Sequence, residues 1–402
     1  MNKIYNTAII GGGASGLISG VELTRGKNAL SGEEVIILER NDRVGKKLVA
    51  TGNGQGNLTN DNFGEKYYYG DSAFIKQFVS NANKLDIKKY FANLGIYISS
   101  GKDGKAYPLS KQASAVLDCI RSYLSHKNCK EMTGKKVTKI EKKKGVFEVY
   151  VSSEKFLAKS VIVCTGGSAG KQFGTDGSAY ALVEKFGHKK TELYPSLVQL
   201  KTPTDKIKGL KGIKENARVT AFVGAKPLMS VEGDLLFTDF GVSGSTIFSL
   251  SASVADKKDA YLIIEFLPSL TFSETENIIK QRQNLDYVNK EDLLVGVINK
   301  KVGQVIIKNA KSLNPTDIAY TLKNFKLDIT GTLGFNYAQV TKGGIKTSQI
   351  TPAFESKLAQ NLYIAGEILN VDGDCGGYNL TFAFVSGVLS ARDIKEKLQV
   401  GD

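Results

Sequence analysis

Apolar and polar positions follow two kinds of pattern at the start of the chain. The segments Ile4 to Ile10 and Glu34 to Glu39 are almost continuously apolar, which predicts buried strands. Between them, Ser15 to Arg25 has the spacing of apolar residues that is typical of a helix. The chain is therefore predicted to open with a β-α-β unit whose strands belong to a parallel sheet.

The next part of the chain is predicted to contain helices and then a small antiparallel meander. Helical patterns occur at Ala73 to Asn81, Leu85 to Leu94 and Gln112 to Ser125. From Lys135 to Ser160 apolar residues recur at every second position, with a turn predicted near Gly145. A short buried strand, Val161 to Cys164, and a helix, Gly177 to Phe186, are predicted to follow.

The middle of the chain has a different pattern. From Tyr194 to Pro268, short apolar alternations are separated by predicted turns such as Glu232-Gly233-Asp234. From Ser273 to Asn324 the pattern is helical, with many polar residues on the exposed faces. These two segments predict a β-rich insert followed by a helical one.

The end of the chain returns to an α/β pattern. Tyr337 to Thr341 is strand-like, Leu362 to Ala365 is a predicted strand, and Leu380 to Leu398 is a predicted long helix. The sequence thus predicts an α/β fold in which both ends build one Rossmann-like domain. The predicted boundaries are 1–193 with 335–402 for that domain, 194–272 with 325–334 for a mixed β insert, and 273–324 for a small helical subdomain.

Composition and charge narrow the class of protein. The chain has 402 residues, 42% of them hydrophobic and 23% charged, which is enough for more than one globular domain. No apolar run approaches the roughly eighteen residues of a membrane span, and no signal-peptide pattern is evident, so we expect a cytoplasmic protein without membrane contact. Four cysteines without a C-x-x-C pair, and only two histidines, predict free thiols and no metal site.

The net charge of +14 raises the question of an anionic partner. The lysines are dispersed along the chain, which predicts mainly a solvated surface. Nucleic acid is therefore not the expected partner, although RNA contact stays open. The sequence does not indicate an oligomeric state.

The loop after the first strand carries the most specific motif. Gly11-Gly12-Gly13-Ala14-Ser15-Gly16 lies between the predicted strand and helix, and Glu39 ends the second strand. This is the dinucleotide-binding fingerprint in its required context. In it, Gly11 permits a tight turn, Gly13 lets the backbone approach a pyrophosphate, and Gly16 lets the helix pack closely. Glu39 is then positioned to accept a hydrogen bond from a ribose hydroxyl.

Three later segments favour FAD over NAD as the dinucleotide. Val161 to Cys164 with Thr165-Gly166-Gly167 resembles a strand and turn of the glutathione-reductase-like flavoproteins. Leu362 to Glu367, followed by Asp372, resembles their second FAD signature. The segment Gly376 to Asn379 opens the last helix, whose N-terminus would stabilise negative charge on a reduced flavin. A nicotinamide enzyme would not need this C-terminal return.

More specific motifs cover nearly the whole chain. Gly45-Lys46-Lys47 with Ala50 to Asn60 resembles the GRK…TGNGRCNLTN segment of the HI0933-like flavoproteins, which include BaiN-like and aminoacetone-oxidase-like enzymes. Three further segments resemble motifs of the same family: Tyr194 to Val198, Gly233 to Gly244, and Gly366 to Leu380. The departures are Gln55-Gly56 in place of Arg-Cys, Ser245 in place of Pro, and Thr381 in place of Gln.

The resemblance implies a glutathione-reductase-like FAD domain and a set of residues around the cofactor, including a backbone contact to the adenine near Val137. Besides Gly11, Gly13, Ala14, Ser15 and Gly16, the cofactor-binding residues expected are Glu39, Arg40, Lys46, Thr51, Gly52, Asn53, Gly54, Asn57, Val137, Thr165, Gly166, Gly167, Gly366, Glu367, Asp372, Gly377, Tyr378, Asn379 and Leu380.

The implied activity is FAD-dependent oxidoreduction of a small organic substrate, and two forms of it stay open. One is an oxidase that oxidises a small amine with oxygen. The other is a reductase that takes electrons from transiently bound NAD(P)H and reduces an unsaturated substrate. The chain has no second fingerprint, so no separate nicotinamide domain is predicted. A third possibility is an RNA-binding or tRNA-modifying flavoprotein. The sequence identifies no catalytic residue.

Three residues near these motifs have competing interpretations. His188 is predicted to lie at the C-terminus of the helix Gly177 to Phe186, where the helix dipole suits it. Cys375 is predicted to be a passive small residue rather than a redox thiol. Tyr378 either stacks near the flavin ring or anchors the start of the last helix.

Overall fold

The computed structural model describes residues 3–400. The chain forms two compact units. The first unit contains the chain up to Leu193 together with the chain from Val340 onward, and the second contains Tyr194–Gln339. Each unit has its own sheet and core.

The strands within residues 3–400 are numbered in chain order. They are β1 Ile4–Ile10, β2 Val35–Leu38, β3 Thr59–Asn60, β4 Tyr68–Gly70, β5 Ile98–Ser100, β6 Lys105–Pro108, β7 Lys130–Met132, β8 Val137–Lys143, β9 Val146–Val151, β10 Glu154–Val163, β11 Tyr194–Ser196, β12 Leu200–Lys201, β13 Lys214–Val223, β14 Lys226–Phe237, β15 Gly241–Ser243, β16 Ala260–Phe266, β17 Phe325–Asp328, β18 Gly331–Thr332, β19 Val340–Lys342, β20 Leu362–Ile364 and β21 Val371–Gly373.

The α-helices of the same described range are numbered likewise. They are α1 Ala14–Leu23, α2 Lys46–Val49, α3 Ser72–Asn83, α4 Ile87–Ala92, α5 Ala113–His126, α6 Tyr180–Glu184, α7 Ser245–Val254, α8 Phe272–Gln283, α9 Lys300–Asn309, α10 Pro315–Lys323 and α11 Tyr378–Val400. Short 3₁₀ turns lie at Gly32–Glu34, Thr51–Gly54, Glu65–Tyr67, Lys171–Phe173, Asp205–Ile207, Lys290–Asp292 and Thr347–Gln349.

The main sheet of the first unit has the strand order β7-β2-β1-β10-β9-β8, and β20 also pairs with β10. The pairs β1–β2, β1–β10, β2–β7 and β10–β20 are parallel, whereas β8, β9 and the first half of β10 form the predicted antiparallel meander. Both faces of the parallel part are covered, because Ala8 and Ile10 of β1 belong to one hydrophobic cluster and Ile9 to another. The predicted α/β fold with a β-α-β opening is confirmed.

The second unit has an antiparallel sheet of order β17-β16-β13-β14-β15-β12-β18. Helices α7 to α10 share one hydrophobic cluster with this sheet through side chains such as Leu250, Ile279, Ile306 and Leu322. The helices α8, α9 and α10 begin where capping side chains satisfy free backbone N–H groups, and these caps are Thr271, Asn299 and Asn314.

Two predictions for the second unit are wrong. Glu232-Gly233-Asp234 is not a turn: it lies inside the long strand β14, where Gly233 pairs with Ala217 of β13. A glycine inside a strand is tolerated when the ladder continues on both sides of it. The segment Ser245–Val254 was predicted as strands and turns, yet it forms helix α7, whose Ile247 and Leu250 are buried in the core.

Two further predicted elements are shorter than their patterns. Tyr337 to Thr341 is a strand only from Val340, since Tyr337 lies in a turn and is 60% exposed. The helix predicted at Gly177 to Phe186 is limited to Tyr180–Glu184. None of the helices within residues 3–400 has the length and apolar composition needed to span a lipid bilayer.

Candidate functional site

The loop between β1 and α1 has the geometry that the fingerprint predicts. Gly11 has φ +101°, and a Cβ there would lie 2.5 Å from the Cys164 carbonyl oxygen. A Cβ on Gly16 would lie 2.0 Å from the Gly11 oxygen, so helix α1 can approach only without a side chain. In contrast, no atom lies within 4 Å of a Cβ built on Gly13, the residue before Ala14 at the helix start. The backbone at Gly13 therefore faces open space.

Glu39 joins the end of β2 to this loop. Its Oε2 accepts a hydrogen bond from the Gly12 N–H at 2.7 Å, and its Oε1 accepts two from Asn41, from the backbone and the side-chain amide, both at 2.8 Å. The carboxylate is buried, and the Lys135 N–H donates to the Glu39 carbonyl at 2.8 Å. A carboxylate has about four acceptor positions, so one remains for a ligand hydroxyl.

Two basic residues of the predicted set are held by neighbouring carboxylates. Arg40 Nη1 lies 2.7 Å from Asp176 Oδ1. Burial opposes the ionisation of this acid, but the hydrogen bonds from Arg40 and Ser178 together outweigh burial and lower the pKa of Asp176. Lys46 Nζ lies 2.5 Å from the exposed Asp42 carboxylate. Val137 opens β8 at the edge of the sheet, close along the chain to the segment that bonds Glu39.

The loop Thr51–Gly54 is a tight and exposed turn. Gly52 and Asn53 adopt left-handed conformations with φ 56° and 54°, and Gly54 has φ +85°. The Thr51 hydroxyl donates to the Leu48 carbonyl at 2.7 Å, which fixes the turn to the end of α2. The backbone of this loop is therefore presented to solvent or to a ligand.

The following residues pack against the start of α11. A Cβ on Gly377 would lie 2.4 Å from the Thr59 carbonyl oxygen, so only glycine allows this approach. Asn60 Nδ2 donates to the Gly376 carbonyl at 2.9 Å. With the Asn57 amide oriented to satisfy its neighbours, its oxygen lies 3.3 Å from the Gly377 nitrogen. The segment Ala50 to Asn60 and the glycines before α11, both of which carry motifs of the HI0933-like family, thus meet in space.

The first turn of α11 provides backbone donors. The first intrahelical bond runs from the Thr381 N–H to the Gly377 carbonyl at 2.9 Å. The N–H groups of Tyr378, Asn379 and Leu380 precede it and have no partner within the helix. Together with the dipole of a 23-residue helix, these groups favour negative charge at this position.

The side chains at the start of α11 contact the loops that precede the helix. Tyr378 stacks on Tyr67 with ring centroids 4.5 Å apart, and its hydroxyl donates to the Asn62 carbonyl at 3.0 Å. Asn379 both accepts from the Gly373 N–H at 2.8 Å and donates to the Gly373 carbonyl at 2.7 Å. Of the two interpretations of Tyr378, the structure supports the anchor.

The second FAD signature lies against the first. A Cβ on Gly366 would lie 3.1 Å from the Cβ of Ser15, in the first turn of α1, and the Gly366 N–H donates to Ser386 Oγ at 3.0 Å. Asp372 is buried in β21, where it pairs with Tyr69 of β4. Residues far apart in the sequence are therefore brought together at the carboxyl ends of the parallel strands.

Lys47 and Thr341 organise the site but were not among the predicted residues. Lys47 Nζ lies 2.6 Å from Glu367 Oε2 and donates to the Ala169 carbonyl at 3.1 Å. The Thr341 N–H donates to Glu367 Oε1 at 3.0 Å, and its hydroxyl accepts from the Ser168 and Ala169 N–H groups. The sequence offered two adjacent lysines here and no signal to choose between them.

The turn after β10 provides a test of whether FAD fits. Gly166 is left-handed with φ +70°, and a Cβ on Gly167 would lie 2.4 Å from Thr341 Oγ1. The Thr165 hydroxyl oxygen is buried without a hydrogen-bond partner in the described part of the chain. An unsatisfied buried hydroxyl, the open space at Gly13 and the free donors of α11 are what a bound dinucleotide would use. The residues present fit FAD.

The structure corrects one interpretation and supports another. His188 does not lie on a helix C-terminus, because α6 ends at Glu184; it is buried, with Nε2 2.8 Å from Ser356 Oγ, and burial lowers its pKa. Burial raises the pKa of the Cys375 thiol, although nearby Lys105 partly opposes this. Such a thiol is not poised as a thiolate, in line with the passive interpretation.

Comparisons with known proteins agree with the motifs. A profile of the HI0933-like protein Rossmann domain matches residues 5–393. The 3-dehydro-bile acid delta(4,6)-reductase of Clostridium scindens is 33% identical over 415 residues, covering 99% of this chain and 100% of its own length. The ribosomal RNA dihydrouridine synthase of Haemophilus influenzae is 26% identical over 415 residues, with the same coverage of 99% and 100%.

Among solved structures, 3-ketosteroid-delta4-(5alpha)-dehydrogenase from Rhodococcus jostii is similar with a TM-score of 0.51 and 12% identity, covering 98% of both chains. The 3-ketosteroid delta1-dehydrogenase from Sterolibacterium denitrificans also has a TM-score of 0.51, with 11% identity and coverage of 98% and 100%. These likenesses show the fold alone, whereas the profile and the relative at 33% identity show the family. The chain belongs to the HI0933-like family and is an FAD-dependent oxidoreductase.

Proposed function

We propose that this chain is an NAD(P)H-dependent flavin reductase that adds hydrogen across a carbon–carbon double bond of a small organic substrate. The observation that carries the proposal is the end-to-end similarity, at 33% identity, to a protein named 3-dehydro-bile acid delta(4,6)-reductase. The name of the relative at 26% identity, a dihydrouridine synthase, also describes the saturation of a ring double bond. Reduction of an activated alkene is the chemistry common to both names.

FAD would be held by the loops around the carboxyl ends of the parallel strands. The open backbone at Gly13 would face the pyrophosphate, and the spare acceptor position of Glu39 would take a ribose hydroxyl. The start of α11 would face the pyrimidine end of the flavin. When bound there, FAD supplies the electron transfer: it accepts two electrons from a nicotinamide and passes them to the substrate.

The chain's own residues would bind and orient. The N–H groups of Tyr378, Asn379 and Leu380 would favour the reduced, more negative form of the cofactor, because they are fixed before it binds. Lys47 holds Glu367 in place, so the turn after β20 keeps its shape in the absence of a ligand. These contacts position the cofactor. They do not determine which substrate binds, because that depends on the residues that would line the substrate pocket.

The test is an anaerobic stopped-flow experiment on the flavin-loaded protein. NADH or NADPH is mixed with the enzyme first, and the reduced enzyme is then mixed with a panel of α,β-unsaturated ketones. We expect rapid bleaching of the flavin by a nicotinamide, followed by reoxidation by an unsaturated ketone. Bleaching by small amines, with recovery in air and no response to either nicotinamide, would instead support an amine oxidase and reject the proposal.

A glycine pair tests the cofactor site itself. Gly13→Ala should lower the free energy of unfolding of the apoprotein by less than about 1 kcal/mol, because the added Cβ meets no atom within 4 Å and the only loss is that alanine is a poorer N-cap than glycine. It should weaken FAD binding by at least about tenfold by filling the space of the pyrophosphate. Gly64→Ala is the matched control, since its Cβ also meets no atom within 4 Å and its φ of 171° is extended. Equal FAD affinities in the two variants would place the pyrophosphate elsewhere.

A second candidate function is the reduction of uridine in ribosomal RNA. It is favoured by the two relatives named ribosomal RNA dihydrouridine synthase, at 26% and 23% identity, and by the net charge of +14. This candidate predicts tight binding to ribosomal RNA with a steep dependence on salt concentration, and NAD(P)H-dependent formation of dihydrouridine. RNA binding without the formation of dihydrouridine would be explained by the basic surface alone and would not support this second function.

A further inference from the structure

One face of strand β6 borders two of the loops that would surround the flavin. Lys105 and Tyr107 lie on this face and are partly exposed, whereas the residues between and after them are buried. Tyr107 Cε1 lies 3.4 Å from the position that a Cβ on Gly52 would take. Lys105 Cε lies 3.7 Å from the corresponding position at Gly376, two residues before α11. The Lys105 side chain therefore lies beside the start of the helix.

The charges around this position do not cancel evenly. Lys105 Nζ lies 2.8 Å from Asp103 Oδ2, and this hydrogen bond raises the pKa of Lys105, which keeps it an ammonium. The loop before α11 also contains Asp372, which is buried, and Asp374. Burial raises the pKa of Asp374, although the Tyr69 hydroxyl donates to it at 2.7 Å. Asp103, Asp372 and Asp374 therefore place carboxylates near the start of α11, and Lys105 is the ammonium that lies beside them.

We propose that the Lys105–Asp103 pair sets the reduction potential of the bound flavin. This inference rests on the proposed function only in requiring that FAD binds with its pyrimidine end against the start of α11. Reduction increases the negative charge of the flavin, so a nearby ammonium stabilises the reduced form and a nearby carboxylate destabilises it. The two members of the pair therefore act in opposite directions on one measurable quantity.

The strength of the effect is limited by solvent. The Lys105 and Asp103 side chains are 38% and 57% exposed, so their charges are screened by water and salt. Removing the ammonium should shift the equilibrium toward oxidised flavin by about tenfold, which corresponds to about 30 mV for a two-electron couple. Removing the carboxylate should shift it the other way by a smaller amount, because Asp103 is the more exposed partner.

The experiment is a dye-coupled anaerobic reduction of the flavin-loaded protein and its variants. Lys105→Met should lower the midpoint potential, Asp103→Asn should raise it, and Lys105→Arg should keep the wild-type value. Lys155→Met is the matched control: Lys155 is 37% exposed, lies 2.8 Å from Glu148 Oε1, and belongs to the end of β10 away from its glycine turn. We expect no shift in this control.

Equal potentials for the Lys105, Asp103 and Lys155 variants would overturn the proposal. If Lys105→Met does not retain FAD, Asp103→Asn decides, since an unchanged potential there also rejects it. The dyes replace both the nicotinamide and the organic substrate. The proposed reductase function can therefore fail while this inference stands, and this inference can fail while the reductase function stands.

A second readout needs no flavin. Lys105 opposes the rise in the pKa of the Cys375 thiol that burial causes, so Lys105→Met should slow the alkylation of Cys375 by iodoacetamide in the apoprotein. Peptide mapping separates this cysteine from Cys119, Cys129 and Cys164. The same alkylation rate in the variant and the wild type would mean that Lys105 does not face the loop, and the proposal would fall.

Discussion

The ion pair between Lys47 and Glu367 is the contact whose removal tests the architecture of the site most directly. The two charged atoms are 2.6 Å apart, and the side chains are 25% and 19% exposed. The same carboxylate accepts from the Thr341 N–H, and the same ammonium donates to the Ala169 carbonyl. Lys47 and Glu367 together therefore join α2, the turn after β10 and strand β19.

The expected loss of stability follows from these contacts. Lys47→Met removes two hydrogen bonds and leaves the carboxylate without its cation. A hydrogen bond to a charged group contributes about 1.5–3 kcal/mol, and partial exposure reduces this, so we expect the free energy of unfolding to fall by about 1–2 kcal/mol. Glu367→Gln should cost a similar amount. The double variant should lose less than the sum, with a coupling energy of about 1 kcal/mol.

The assay is urea unfolding of the four apoproteins followed by circular dichroism, because the chain contains no tryptophan. FAD affinity, measured by flavin fluorescence, should weaken about fivefold to thirtyfold in the Lys47 variant, because FAD binding must then supply the roughly 1–2 kcal/mol that the ion pair contributes to ordering the site. Lys46→Met is the control for the unfolding measurement alone, since Lys46 pairs with an Asp42 side chain that is 78% exposed and should contribute less than about 1 kcal/mol to the free energy of unfolding. Additive losses in the cycle, or an equal loss in the control, would refute this account of the site.

Two further predictions concern buried polar groups. Thr381→Val should lower the free energy of unfolding by about 1–2 kcal/mol, because the Thr381 hydroxyl lies 2.9 Å from the buried Thr59 hydroxyl. Thr381→Ser keeps the hydroxyl and should recover most of the lost stability. A Ser variant as unstable as the Val variant would contradict this prediction. Burial lowers the pKa of His188 below 6.5, so the unfolded chain binds a proton more readily; the contribution of His188 is fully present above pH 6.5 and is lost as the pH falls below it. His188→Gln should therefore flatten the fall of stability between about pH 7 and 5, as measured by urea midpoints, and an unchanged slope would count against a buried neutral histidine.

Much of the first unit was predictable because its local patterns agree with its tertiary structure. Strand Ile4–Ile10 is buried on both faces, so its mostly apolar sequence gave its bounds correctly. Gly11 and Gly16 are required by contacts within a few residues or with the adjacent strand, and the motif encodes such contacts. The start of α11 was likewise visible, because its glycines precede a long helical pattern.

The rest depends on contacts that no local pattern contains. Helix α7 is rich in serine and β-branched residues, and its identity as a helix depends on burying Ile247 and Leu250 against the sheet. Its Ser245 replaces the proline of related chains at the first helical position, where either residue is accepted. The choice of Lys47 over Lys46 as the partner of Glu367 depends on residues more than three hundred positions away.

The hydrogen bonds within the chain explain which groups of the site remain for a ligand. Glu39, Asn57, Glu367 and Asn379 were predicted to surround the cofactor, yet each already has hydrogen bonds within the chain. Since a buried polar group without partners is costly, these side chains must be satisfied before any ligand arrives. What remains for a ligand is the backbone N–H donors of α11, the Thr165 hydroxyl, one acceptor position of Glu39 and the open space at Gly13. A site of this kind is ordered in advance, so binding FAD requires little loss of conformational freedom, and substitutions of these side chains should change apoprotein stability as well as affinity.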